Sequence, residues 1–110
     1  MIQQTLTKIE DRLAEAGALD QETRRELLRL VGTLKQEITE LSKTDADQAQ
    51  SIAEFAATSA HEATRAQRRP DLLGHSLGGL AASVDGFEES HPRLVQIVNA
   101  ISQTLANLGI

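Results

Sequence analysis

Leu27-Leu28-Arg29-Leu30-Val31-Gly32-Thr33-Leu34-Lys35-Gln36-Glu37-Ile38-Thr39-Glu40-Leu41 decides the fold class of this chain. Leu27, Val31, Leu34, Ile38 and Leu41 recur at steps of four, three, four and three, with charged and polar residues between them. On an α-helix such steps draw one narrow apolar stripe, which faces a partner helix along its length. Four more stripes share the spacing. They are Ile2, Leu6, Ile9, Leu13 and Ala16; Ala49, Ile52, Ala56, Ala60 and Ala63; Leu73, Leu77, Leu80, Val84 and Phe87; and Leu94, Ile97, Ile101, Leu105 and Leu108. The pattern predicts an all-α antiparallel bundle of four to five helices with coiled-coil-like heptad stripes.

Helix boundaries follow from breakers and caps. Gly17 ends a first helix over 2–16, and Asp20 caps a second that runs to about residue 42, so residues 1–43 form a helical hairpin. Thr44-Asp45 opens a third helix over 46–69, rich in Ala, Gln, Ser and Thr. Pro70 separates it from a fourth over 71–89, which carries Gly74, Gly78, Gly79 and Gly86. Ser90-His91-Pro92 restarts the chain into a fifth helix that Gly109 stops, so residues 71–110 form a C-terminal helical pair.

At 110 residues the chain is one domain. Fifteen of its hydrophobic residues are Ala and only two are Phe. A thin core of this kind predicts a homo-oligomer that removes further apolar stripe from water. The net charge of −5 argues against nucleic acid as a partner. With no Cys there is neither a disulfide framework nor a thiolate metal site. Acidic residues early in the chain argue against a signal peptide, and no run approaches the roughly 18 apolar residues of a membrane span. The expectation is a cytoplasmic protein without a cofactor.

Three constellations invite a chemical reading. Gly74-His75-Ser76-Leu77-Gly78 matches the G-x-S-x-G nucleophile elbow, but no strand precedes it and the chain is too short for the sheet that such a hydrolase needs. Glu88 and His91 have a Glu-x-x-His spacing found in helical metal sites, but in one copy only and across a helix boundary. The expectation is therefore no catalytic residue and no metal. Phe87, Ser90, His91 and Pro92 are read instead as a structural helix-start motif. Arg65, Arg68 and Arg69 complement a helix C-terminus, or alternatively form a patch for an anion or partner.

Leu19-Asp20-Gln21-Glu22-Thr23-Arg24-Arg25-Glu26-Leu27-Leu28, Phe87-Glu88-Glu89-Ser90-His91-Pro92-Arg93-Leu94 and the terminal Leu105-Ala106-Asn107-Leu108-Gly109-Ile110 resemble domain of unknown function family 4404. The resemblance covers roughly residues 2–41 and 83–110, with the Ala-rich 45–69 stretch as an added helix. It implies a small bacterial helical protein and brings no assigned activity. It also groups Phe87, Ser90, His91, Pro92, Gly109 and Ile110 as one shared structural device.

The functional expectation is a non-catalytic, self-associating helical protein that serves as an interaction or scaffold module. One alternative is an adaptor whose helix 45–69 docks on another protein or a membrane surface. Another is an enzyme, either a Ser76 hydrolase or a metal site at Glu88 and His91.

Overall fold

A computed structural model describes residues 1–108 and contains five helices. These are α1 (Ile2–Glu15), α2 (Gln21–Ser42), α3 (Ala46–Thr64), α4 (Pro70–Ser83) and α5 (Pro92–Leu108). Gly109 and Ile110, read from the sequence as a helix stop and part of a shared device, lie outside the described residues.

Sequence chemistry accounts for the main boundaries. The Asp20 carboxylate accepts from the Thr23 backbone N–H at 2.7 Å, and Asp45 accepts from Gln48 N–H at 3.1 Å. Each satisfies a donor that the first helical turn leaves free. The Arg24 guanidinium closes the α1–α2 turn by donating to the carbonyls of Leu13, Ala16 and Leu19. It thereby covers acceptors at the end of α1 that would otherwise need water.

Two helices are shorter than their stripes predict. α3 stops at Thr64 instead of residue 69, because Arg65 and Arg69 are extended (ψ 153° and 95°). Pro70 disfavours helical backbone in the residue before it and occupies the first turn of α4. α4 stops at Ser83 instead of residue 89. Gly86 takes φ +92°, a conformation that glycine adopts most readily, and the chain turns away. Phe87, the last residue of the fourth stripe, therefore packs on the core from a turn and not from the helix.

α3 is the central helix and packs on all four others. α1, α2, α5 and α4 follow one another around it, and among the described residues α1 touches neither α4 nor α5. Hydrogen bonds between helices show their relative directions. Gln3 donates to Thr39 and Lys35 reaches Glu10, so α1 and α2 run antiparallel. Gln48 Nε2 donates to the Ser83 carbonyl at 2.6 Å, so α3 and α4 also run antiparallel.

The Ala-rich composition of α3 explains its position. Ala49, Ala53, Ala56, Ala60 and Ala63 are all buried and let neighbouring helices come close, while Ile52 supplies apolar volume with no exposure. An adaptor helix offering its Ala face to a partner would have to leave this core. Most residues of the other stripes are likewise buried within one chain, while Ile2, Ala16, Leu77, Phe87 and Leu108 are half-buried. Leu27, Leu34, Ile38, Leu80, Leu94 and Leu6 are each fully buried, and side chains of this size contribute about 1.5–3 kcal/mol apiece when removed from water.

Candidate functional site

Ser76 lies inside α4 and is buried, and its Oγ donates to the Leu73 carbonyl of its own helix at 3.0 Å. A nucleophile elbow needs the hydroxyl on a sharp turn after a strand, beside a base. The local structure here is uninterrupted helix, and His75 next to it is exposed. Packing against the core, with the hydroxyl satisfied locally, accounts for the serine.

The segment before α5 gathers the next group. The Phe87 and His91 rings meet edge to face at 5.7 Å between centroids. The His91 N–H donates to the Phe87 carbonyl at 2.8 Å, and the His91 carbonyl accepts from Val95 N–H at 3.3 Å. His91 Nδ1 lies 3.0 Å from Ser90 Oγ, while a Glu88 carboxylate oxygen accepts from the Gly86 N–H at 2.9 Å. Pro92 is the first residue of α5. Glu88 and His91 thus engage different groups of one turn. Among the described residues no three His, Asp or Glu side chains converge as a metal-binding group.

The arginine cluster is divided among three partners. Arg65 pairs with Glu62 at 2.9 Å, and Arg69 grips Asp71 through Nε and Nη2 at 3.2 and 2.8 Å. Arg68 donates to the Leu108 carbonyl, which joins the α3–α4 turn to the end of α5. The Arg69 hydrogen bond holds the Asp71 carboxyl below its usual range, and Asp71 in turn raises Arg69. The contacts tie helix ends together and give each of the three guanidiniums a different partner within the chain.

Glu62 belongs to no motif in the sequence, yet it is buried at the C-terminal end of α3, with His61 Nε2 at 3.8 Å on its other side. Beside it, Thr64 Oγ1 accepts from Arg12 Nε at 2.8 Å and donates to the Ala60 carbonyl. The neighbouring groove, bounded by Lys8, Asp11, Arg12, Glu15 and Thr64, has a volume of about 470 Å³ and charges of both signs. The Arg12–Thr64 bond crosses it from α1 to α3, which is the chemistry of a helix seam.

Phe55 stands in the sequence with Ile52 as a larger apolar residue of the Ala-rich helix, but the structure buries Ile52 and leaves Phe55 at the edge of that face. It lies in α3, three positions after Ile52 and off the Ala stripe, and is 40% exposed. Its ring lies against the backbone of Gly79 in α4, where a methyl group would collide with it. Among the described residues, Met1 is the other large hydrophobic residue exposed to this degree.

The family model described as Domain of unknown function (DUF4404) matches residues 2–110, taking in the Ala-rich stretch as well as both ends. No curated protein and no solved structure matches the chain. Among the described residues no helix is long and apolar enough to cross a membrane.

Proposed function

We propose that this chain, which belongs to the DUF4404 family, is a non-catalytic helical protein that works by association, with further copies of itself first. Its role on this reading is that of an interaction or scaffold module. The observation that carries it is Phe55, held 40% exposed in the middle of the central helix. An aromatic side chain in water is a large apolar area awaiting cover, and such residues dominate the energetics of protein contacts. Most residues of the five stripes are covered within the chain, with Ile2, Leu77, Phe87 and Leu108 half-buried, which leaves Phe55 the most exposed large apolar side chain of the helices.

The dispersal of the reactive residues supports the non-catalytic half of the reading. Ser76 bonds to its own helix, Glu88 and His91 to their own turn, and the arginines to three separate acceptors. Catalysis by any of them would require a base, a second ligand or a converging donor set that these contacts do not supply.

Light scattering across a tenfold concentration range tests self-association. A mass that stays at, or rises to, a multiple of 11.9 kDa supports the reading, and 11.9 kDa throughout overturns it. Hydrolysis of a generic aryl ester tests the non-catalytic half. Turnover by the wild-type chain that vanishes in Ser76→Ala would contradict it.

A further inference from the structure

The connections between the helices are built differently. Between α1 and α2, Arg24 holds the carbonyls of Leu13, Ala16 and Leu19, and the Leu19 N–H donates to the Ala16 carbonyl. Between α2 and α3, the N–H groups of Lys43, Thr44 and Asp45 all donate to carbonyls of the last turn of α2. Between α4 and α5, the N–H groups of Val84, Asp85, Phe87 and His91 donate to carbonyls just before them, and that of Gly86 to Glu88. The connection 65–69, between α3 and α4, has no such frame. Among the described residues, Ala66, Gln67 and Arg68 neither donate nor accept a backbone–backbone hydrogen bond.

That connection also holds three of the chain's eight arginines. Arg12, Arg24, Arg25 and Arg29 lie within α1 and α2, and Arg93 is the second residue of α5, so their peptide bonds are wound into helix. Arg65 is half-buried and 66–69 are exposed, with extended backbone at Arg65 and Arg69. A protease takes its substrate as an extended strand. It therefore reaches an exposed connection directly and a helical bond only after local unfolding.

We propose that the α3–α4 connection is a processing site for an arginine-specific endopeptidase, which cuts after Arg65 or Arg68 and leaves the five helices packed. The bond after Arg69 leads into Pro70, whose ring fixes φ and removes the N–H by which an extended strand is held. Hydrolysis adds water across the carbonyl carbon–nitrogen bond. It leaves a carboxylate on the arginine and an ammonium on Ala66 or Arg69, with water as the only co-reactant. Reaching these bonds disturbs little of the fold. Arg68 releases its hydrogen bond to the Leu108 carbonyl, and Arg65 its pair with Glu62. Burial then holds the two pieces together, since Leu73, Leu80, Leu94, Val98 and Ile101 share one core with α1, α2 and α3. The cut requires no second copy of the chain, so it stands apart from self-association.

Brief digestion of the full chain with an arginine-specific endopeptidase, read by intact-mass spectrometry, tests the site. The first products should end at Arg65 or Arg68, and these wild-type products decide the site whatever the variants do. Arg65→Lys combined with Arg68→Lys keeps both charges and removes both cleavable residues. It should slow the first cut at least about tenfold, because the remaining arginines lie in helix or precede Pro70. Its helical circular dichroism should match that of the wild type. As a control, Arg25→Lys on the exposed side of α2 should leave the rate unchanged. Light scattering should give the cut chain the same mass as the uncut chain.

A first cut at Arg93, or within α1 or α2, overturns the site. Cleavage of a well-folded double variant at the wild-type rate overturns it too. Pieces that separate after the cut also overturn the proposal, because the cut would then dismantle the fold.

Discussion

The α1–α2 hairpin and the α4–α5 pair pack on the same central helix but present opposite chemistry to solvent. The hairpin keeps its stripes inward and covers its outer surface with ion pairs, such as Arg29 with Glu26 and Lys43 with Glu40. The C-terminal pair is equally well buried on its inner side, with Leu80 and Leu94 fully covered, yet beyond Asp71 and Arg93 its helices expose glycine, alanine, amides and the His75 imidazole. Burial satisfies the inner face of both regions, so the difference lies in what each outer face is suited to meet. The hairpin surface carries charges of both signs that answer one another within the chain. The amides of the C-terminal pair keep their hydrogen bonds only while water or another polar group meets them.

The largest effect should appear where the comparison asks whether both regions share one core. Leu34→Ala in α2 and Leu80→Ala in α4 remove fully buried side chains, and each should cost about 2–5 kcal/mol in urea unfolding. A much smaller loss at Leu80 would mean that the C-terminal pair is held loosely, and the two regions would then differ inside as well as outside.

A second contrast uses glycines of the two regions. Gly32 in α2 has open space where a methyl group would sit, so Gly32→Ala should stabilise by about 1 kcal/mol through helix propensity. In α4, Gly79→Ala should gain less than Gly32→Ala or lose stability, because its methyl must push the Phe55 ring aside. Equal gains in thermal unfolding would remove the Phe55–Gly79 contact from the account.

Acid should act more on the hairpin than on the pair. The Thr23 N–H lowers the Asp20 carboxyl, Arg29 lowers Glu26, and in the C-terminal region Arg69 lowers Asp71. A carboxylate lowered on folding contributes stability above its unfolded value and loses it as pH falls through the folded value. Thermal midpoints should therefore hold from about pH 7 to about pH 5 and fall between about pH 4.5 and pH 3. Asp20→Ala should lower the midpoint at neutral pH and make that fall shallower. All three carboxylates are exposed, so the change should be smaller than that of either core substitution. A fall equally steep in Asp20→Ala would take Asp20 out of the explanation.

Salt should have the smallest effect. Self-association anchored on the Phe55 ring should change about threefold or less between 50 and 500 mM NaCl, since an apolar anchor has no charge to screen. A change of a hundredfold would place charged residues in the interface.

Much of this architecture can be read in the sequence, because stripe spacing and cap residues are local signals. Asp20 and Asp45 cap where their side chains allow, and Pro92 begins α5. The ends of α3 and α4 are less legible. A stripe can run on through Val84 to Phe87 although Gly86 has already turned the chain, and side-chain periodicity does not register backbone φ. The position of α3 is also hidden. Its Ala face reads as weakly hydrophobic in isolation, but the same small side chains allow four neighbours to surround it. Phe55 shows the remaining gap. Its place off the stripe is visible in the numbering, whereas its contact with Gly79 depends on how α3 and α4 pair in space. The charge-poor runs 72–84 and 94–110 need only counting, but their neighbourhood is seen once α4 and α5 are known to lie together.

The most direct measurement of the central claim is a dilution series of two-dimensional amide NMR spectra of the full chain. Concentration-dependent shifts should include Phe55 and its neighbours in α3 and α4, Gly79 among them. Shifts that leave Phe55 still, or spectra unchanged by dilution in a chain of single-copy mass, would contradict the account.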